Sequence, residues 1–245
     1  MPRLSVLRSH PALRSAWLIW LVIVVTAIAT RAVLAALAWD DLDLSPAALL
    51  DIALRGTTAD ALFALACAAP ALAIGALAHL GGSPGWLRRG WRLAVTTGIV
   101  AAAGFSAVSE ILFWEEFASR FNFIAVDYLI YTNEVIGNIQ ESYPVGAILF
   151  ALGIAGFLAA LTFERKAATP VAHRSWRWSA RLPVAVAAVL AMVGAGRLAL
   201  AVDSSVRDAA ALRANVVDQE IARNGAVAFM AALRDNSLSL SLIHI

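Results

Sequence analysis

Apolar and polar positions alternate along this chain in long blocks. Five apolar runs, Trp17–Trp39, Ala59–Leu80, Trp91–Phe113, Val145–Phe163 and Pro183–Val202, are each long enough to cross a bilayer, for which about 20 residues are needed. Pro70 lies in the second run and predicts a kink there. Glycine and alanine recur through all of them, which suits close helix–helix approach in lipid. Between the third and fourth runs the pattern changes to polar, aromatic and acidic over Trp114–Pro144. Within it Asp127, Tyr131, Glu134, Asn138 and Glu141 fall inside about 80° of a helical wheel. Tyr128, Leu129, Val135, Ile136 and Ile139 occupy the other side. The spacing predicts an amphipathic helix over Ala125–Glu141, lying at a membrane surface.

The fold class expected is therefore all-α and polytopic: five transmembrane helices, an outer interfacial amphipathic helix and a C-terminal helical stalk. Residues 1–16 form a basic N-terminus, 17–202 the membrane domain with the outer segment 114–144, and 203–236 a charged helical connector. In the connector Gly225 is expected to stop one helix at its C′ position, with a short apolar helix Ala226–Leu233 after it. The remaining residues, 237–245, read SLSLSLIHI and are expected to be a truncated or non-native tail.

Composition agrees with the pattern. The chain is 61% hydrophobic with mean hydropathy +0.76, whereas soluble domains are typically about 45–50% apolar. Net charge is only +2, so the placement of charge is more informative than its sum. The N-terminus and the segments after the second and fourth runs hold eleven basic residues, against two, Arg55 and Arg120, in the alternate segments. That asymmetry puts the N-terminus in the cytoplasm, and the amphipathic segment and the C-terminus outside. The tryptophans, Trp114 among them, cluster near run ends as an interfacial belt does. A single cysteine, Cys67, rules out an internal disulfide and a cysteine-based metal cluster.

Three ionisable residues stand out inside the runs: Arg31, Glu110 and Arg197. A charge at bilayer depth costs several kcal/mol unless it is paired or snorkels, about 2.5 to 3.5 on insertion scales. Either each reaches the outer interface alone, or they converge. In the convergent arrangement Glu110 pairs with one arginine and leaves the other to hold a lipid phosphate. Glu115 and Arg120 are rim charges or part of the same pocket. Asn122, Asp127, Tyr128, Tyr131, Glu134, Asn138 and Glu141 are either a solvated helix face or a surface for a substrate or partner domain. Asp127 and Glu134 are seven residues apart, about 10 Å along a helix, too far to share one metal ion without other ligands. No HExxH, Walker or GxSxG pattern occurs, and no catalytic residue, metal site or cofactor is assigned to this chain. The basic–aromatic loop around His173, Arg174 and Trp176 is read as a membrane-interface anchor rather than a nucleic-acid site.

Two stretches carry a resemblance. FNFIAVDYLIYTNEVIGNIQESYP (Phe121–Pro144) resembles the outer-loop signature of the lipoteichoic acid synthase-like phosphoglycerol transferases, membrane-anchored members of the alkaline phosphatase/sulfatase superfamily. QEIARNGAVAFMAALRDNSL (Gln219–Leu238) resembles the connector those proteins place before their catalytic domain. The resemblance implies a bacterial plasma-membrane enzyme with a large extracytoplasmic α/β domain, a threonine nucleophile and a divalent metal, manganese or magnesium. Such enzymes transfer phosphoglycerol, or a similar head group, from an anionic phospholipid to a glycan or glycolipid. No stretch of this chain carries the nucleophile or metal motifs. The expectation is thus the membrane half of such an enzyme, inactive as it stands, which anchors the catalytic domain and presents lipid to it. Its partners would be the bilayer, the anionic phospholipid and that domain. A membrane scaffold or sensor, or a small transporter subunit, are the rival classes.

Overall fold

The computed structural model describes residues 11–77, 85–130, 137, 139–167, 178–210 and 215–243. The described residues are nearly all helical and include no strand. Five helices are long and apolar enough to span a membrane: α1 (Pro11–Leu37), α2 (Pro46–Leu77), α3 (Gly85–Phe117), α5 (Val145–Ala167) and α6 (Trp178–Ala210). The chain is a multi-pass membrane protein. The described residues also form three shorter α-helices, α4 (Phe123–Ile130), α7 (Val216–Ala222) and α8 (Gly225–Ile243), and a 3-10 turn at Trp39–Asp41.

Helix α2 begins well before the apolar run that announced it. Ser45 accepts the Ala48 amide at 3.3 Å through its hydroxyl, and Pro46 occupies the first helical position. Proline is suited to that position because the missing N–H has no helical partner there anyway. The Asp51–Arg55 pair, one turn apart at 2.8 Å, supports the polar start. Asp60 consequently lies mid-helix rather than at a span edge.

The spans pack in the spatial order α6, α2, α1, α3, α5. Small residues let them approach. Ala64, Ala68, Ala73 and Ala76 of α2 are buried, as are Ala185, Ala188, Ala195 and Ala199 of α6. Gly156 of α5 lies under the α3 backbone, where an added Cβ would stand 2.7 Å from the Thr97 carbonyl oxygen. At the same end as the α1 N-terminus, Arg92 holds Glu164 in a forked pair at 2.8 and 2.9 Å, tying α3 to α5.

At the opposite end α3 stops at Phe117, and Ala118 adopts a left-handed φ of 48°. The reversal turns Arg120 back under the bundle end. Asn122 then opens α4 by accepting the Ile124 amide at 2.9 Å. The amphipathic segment is helical over Phe123–Ile130, at residue 137 and over 139–142. Tyr131, Glu134 and Asn138 lie outside the described residues. Helix α6 runs on to Ala210, past the expected end of the fifth span. The C-terminal segment is helical as expected, and α7 and the start of α8 lie against the bundle end. Gly225 is the first residue of α8, not a C′ stop, and its φ is negative.

Candidate functional site

The site is a buried charge network between the bundle end and the α7–α8 hairpin. Its frame is local capping. Asn215 accepts the Val217 and Asp218 amides at 2.9 and 3.4 Å, starting α7. The same side chain donates to the Asp41 carbonyl at 2.9 Å, tying the hairpin to the α1–α2 link. The Asp43 amide donates to Asp218 at 3.0 Å. Asn224 then caps α8 by accepting the Val227 amide at 3.0 Å. The end of α7 at Ala222 and the Asn224 cap of α8 are only two residues apart, which makes a sharp corner at 221–224, and that corner points into the bundle.

Arg31 meets it from α1. Its guanidinium pairs with both carboxylate oxygens of Asp60 and donates to the Ile221 carbonyl at 2.9 Å and the Arg223 carbonyl at 3.1 Å. Asn224 donates to Asp60 at 2.7 Å, so one carboxylate serves both the span and the hairpin. Arg120 pairs with Glu110 of α3, its amide donates to Glu220 at 2.8 Å, and its side chain reaches the Glu220 and Ile221 carbonyls at 3.2 and 3.4 Å. Arg223 donates to Asp203 of α6 at 2.8 Å and to Glu220 at 3.1 Å. Arg207 bridges Asp203 and Asp235 at 3.3 and 3.2 Å.

Two glycines make room for these charges. A Cβ at Gly56 would overlap the Arg31 guanidinium, and one at Gly225 would overlap the Glu110 carboxylate. Glu110 therefore sits against the N-terminus of α8, where the helix dipole favours a negative charge. Around the network lies an apolar seal of Leu34, Ile52, Trp114, Val206 and Ile221. Trp114 is 6% exposed and belongs to this seal, not to an interfacial belt. Its indole packs in one cluster with Ile221 and Ala222 of the hairpin.

Three buried cations, Arg31, Arg120 and Arg223, face three buried anions, Asp60, Glu110 and Asp203. The charge is balanced, which is the condition for burying ions at tolerable cost. Burial pushes the Arg120 guanidinium down to about 9, with Arg31 and Arg223 adding repulsion and Asp60 and Glu220 opposing it. It still carries its proton at neutral pH. Burial also pulls Arg223 down, but its bonds to Asp203 and Glu220 outweigh this and raise it.

The expected convergence of Arg31, Glu110 and Arg197 is corrected in two respects. Glu110 pairs with Arg120, and Arg31 pairs with Asp60. Arg197 is exposed on α6, six residues before Asp203, about 9 Å along the helix, and has no ion pair among the described residues. With Arg31 fully engaged, no spare guanidinium of the network faces a lipid phosphate. Glu115 and Glu141 are exposed and outside the network. Asn122 is the α4 cap, Asp127 is half-buried, and Tyr128 is exposed with its ring edge-on to Phe117 at 5.9 Å. Sequence reading missed Asp60, Asp203, Glu220, Arg223 and Asn224. The available signal was Asp60 standing just inside an apolar run, with Gly56 one turn before it.

Among the described residues no group of three or more histidine, cysteine or carboxylate side chains could hold a metal ion. Comparison of the chain with known protein families, with characterised proteins and with solved structures finds no match. What this arrangement can do is mechanical: it ties a non-spanning hairpin directly to α1, α2 and α6, and through Arg120 to α3.

Proposed function

We propose that this chain is a membrane anchor and mounting base. The reading is the membrane portion of a phosphoglycerol transferase-like enzyme that acts on cell-envelope glycans or glycolipids from the bacterial plasma membrane. One observation carries the anchoring role: the hairpin is locked to Arg31, Asp60, Arg120 and Asp203 by buried or half-buried polar contacts. A chain leaving the membrane through such a corner emerges at a defined place and angle. A flexible tether would need no buried ions. The donor in this reading is an anionic phospholipid, and the manganese or magnesium chemistry belongs to a catalytic domain outside these residues. In this reading Arg197, exposed on α6, meets a lipid phosphate. The arginine asymmetry supports a cytoplasmic N-terminus with the hairpin on the far side.

The test is in two parts. Reporter fusions at residues 130 and 220 should both read as extracytoplasmic; a cytoplasmic result at either site overturns the orientation. The coding sequence downstream of residue 245 should then open into a sulfatase-like domain. Metal-dependent head-group release by the chain as it stands would refute the anchor reading. A non-catalytic scaffold is the second reading, favoured by the pairing of the network's three buried cations, Arg31, Arg120 and Arg223; a stop codon directly downstream supports it.

A further inference from the structure

At the bundle end away from the hairpin, guanidinium groups outnumber carboxylates. Arg92 takes both oxygens of Glu164. Arg89, one turn before Arg92 on α3, and Arg14 of α1 stand within electrostatic reach of the same carboxylate. Neither has a hydrogen bond or a contact ion pair among the described residues. We propose that Arg14 and Arg89 hold the phosphate of an anionic phospholipid in the leaflet at this end. The anchoring role neither requires nor supplies this lipid.

No carboxylate of this chain is at hand to take that place. Glu164 is the only acidic residue within 1–39, 61–109 and 142–202, which include every segment at this end. Residues 1–10, 78–84 and 168–177, which precede or join these helices and lie outside the described residues, contain no acidic residue and add only cations, Arg3, Arg8, Arg174 and Arg177 among them. Arg14 is half-buried, and a charge withdrawn from water needs a partner. The anion that pairs with it comes from outside the chain. A phosphate diester offers two acceptor oxygens to guanidinium forks. The ammonium of a zwitterionic head group would meet these cations and one carboxylate whose oxygens are both taken.

The surroundings select a lipid over a soluble anion. Trp86 and Trp91 flank Arg89 on α3, and both are exposed. Trp17, one turn after Arg14 on α1, is exposed too, with its ring stacked on Trp20 at 5.0 Å. Exposed indoles beside both arginines mark head-group depth. Below Arg14 an apolar stripe begins. Trp17, Leu21, Val25 and Ile28 follow it at spacings of three and four residues, which sets them on one face of α1, and all four are exposed. A phosphate held by Arg14 thus has a track for its acyl chain directly beneath it. A soluble phosphate has no use for that stripe.

Two experimental arms test this on the whole chain. In the first, native mass spectrometry reads the lipid retained from nanodiscs of equal phosphatidylglycerol and phosphatidylethanolamine. In the second, glycerol 3-phosphate is titrated into the chain in detergent micelles. Phosphatidylglycerol should be retained about ten-fold over phosphatidylethanolamine. Arg14→Gln and Arg89→Gln should each cut that retention about ten-fold. Neither should lower the melting temperature, because neither removes a hydrogen bond among the described residues. Arg165→Gln is the control for bulk charge. Arg165 is exposed and follows Glu164 in sequence, but lies about 100° further round α5, so its loss should cost about five-fold or less. Equal retention of the two lipids overturns the proposal, as do losses in Arg14→Gln and Arg89→Gln no larger than in Arg165→Gln. Retention lost in Arg197→Gln alone places the lipid at the other end and overturns it as well. Binding of glycerol 3-phosphate without a lipid preference assigns the site to a soluble anion instead.

Discussion

Replacing Asp60 by alanine should loosen the hairpin far more than the loss of one surface ion pair. Asp60 is fully buried, supplies two of the four contacts of Arg31 and accepts the side chain of Asn224. The variant leaves a guanidinium that is 7% exposed facing a carboxylate-sized hole. Removing one partner of a buried pair typically costs about 3–5 kcal/mol, because the other charge stays desolvated and unpaired. At about 1.4 kcal/mol per factor of ten, protection of the hairpin amides should fall between about a hundred-fold and a few thousand-fold. Hydrogen exchange in nanodiscs can read this at the amides of Ile221–Ala231, with the α3–α5 contact near Thr97 and Gly156 as an internal control that should not move.

The paired replacement Arg31→Met with Asp60→Leu removes both charges at similar volume. Buried pairs replaced in this way are often neutral or even stabilised. Here the Ile221 and Arg223 carbonyls lose their donor and the Asn224 amide its acceptor, at about 1 kcal/mol each. The double variant should therefore recover part of the protection lost in Asp60→Ala. If Asp60→Ala leaves the hairpin exchange unchanged, or the double variant exchanges as fast as the single one, the ion pair does not hold the corner and the clamp reasoning fails.

Other expectations follow from the same contacts. Gly225→Ala drives a methyl group into the Glu110 carboxylate and should destabilise the docked hairpin by about 1–3 kcal/mol, measurable as the same exchange at α8. Ala118→Gly relieves the left-handed φ of 48° and should stabilise the chain by roughly 1 kcal/mol, seen as a higher melting temperature; a lower one would mean the turn is held by the alanine methyl. Gly156→Leu, set against the Thr97 carbonyl, should part α3 from α5 and lower the melting temperature by several degrees. Arg197→Gln, exposed and without an ion pair among the described residues, should leave that temperature unchanged; if it also leaves anionic-lipid retention unchanged, Arg197 is no phosphate contact.

Helix number and type were legible because a span is a composition signal: twenty apolar residues suffice, whatever they touch. The polar start of α2 was not legible, since Asp51 and Arg55 look like loop residues until their one-turn spacing is set beside the Ser45–Pro46 start. Pairing in the network was hidden for another reason. Arg31 and Asp60 are 29 residues apart, and Arg120 and Glu220 are separated by a hundred, so no local period connects them. Glycine misled most. Gly225 after a charged helix reads as a stop, yet its real function is to leave space for Glu110, a residue of another helix. Sequence alone shows that a side chain is missing there, not which neighbour occupies the room.

The use of ions rather than hydrocarbon at this corner has a physical rationale. At a bilayer surface, apolar contact with the spans competes with apolar contact with lipid, so a greasy hairpin gains little by choosing one place over another. A carboxylate buried beneath Asn224 and Arg31 has no comparable alternative in lipid, and a hairpin displaced by one helical turn would strand several charges together. The clamp thus contributes register more than net stability, as buried polar groups do in other assemblies that must select a single arrangement. The corner carbonyls of Ile221 and Arg223 make that choice directional, because they accept from Arg31 only when the end of α7 faces α1. A corner clamped this way gives the hairpin one orientation on the bundle, which a purely apolar contact does not.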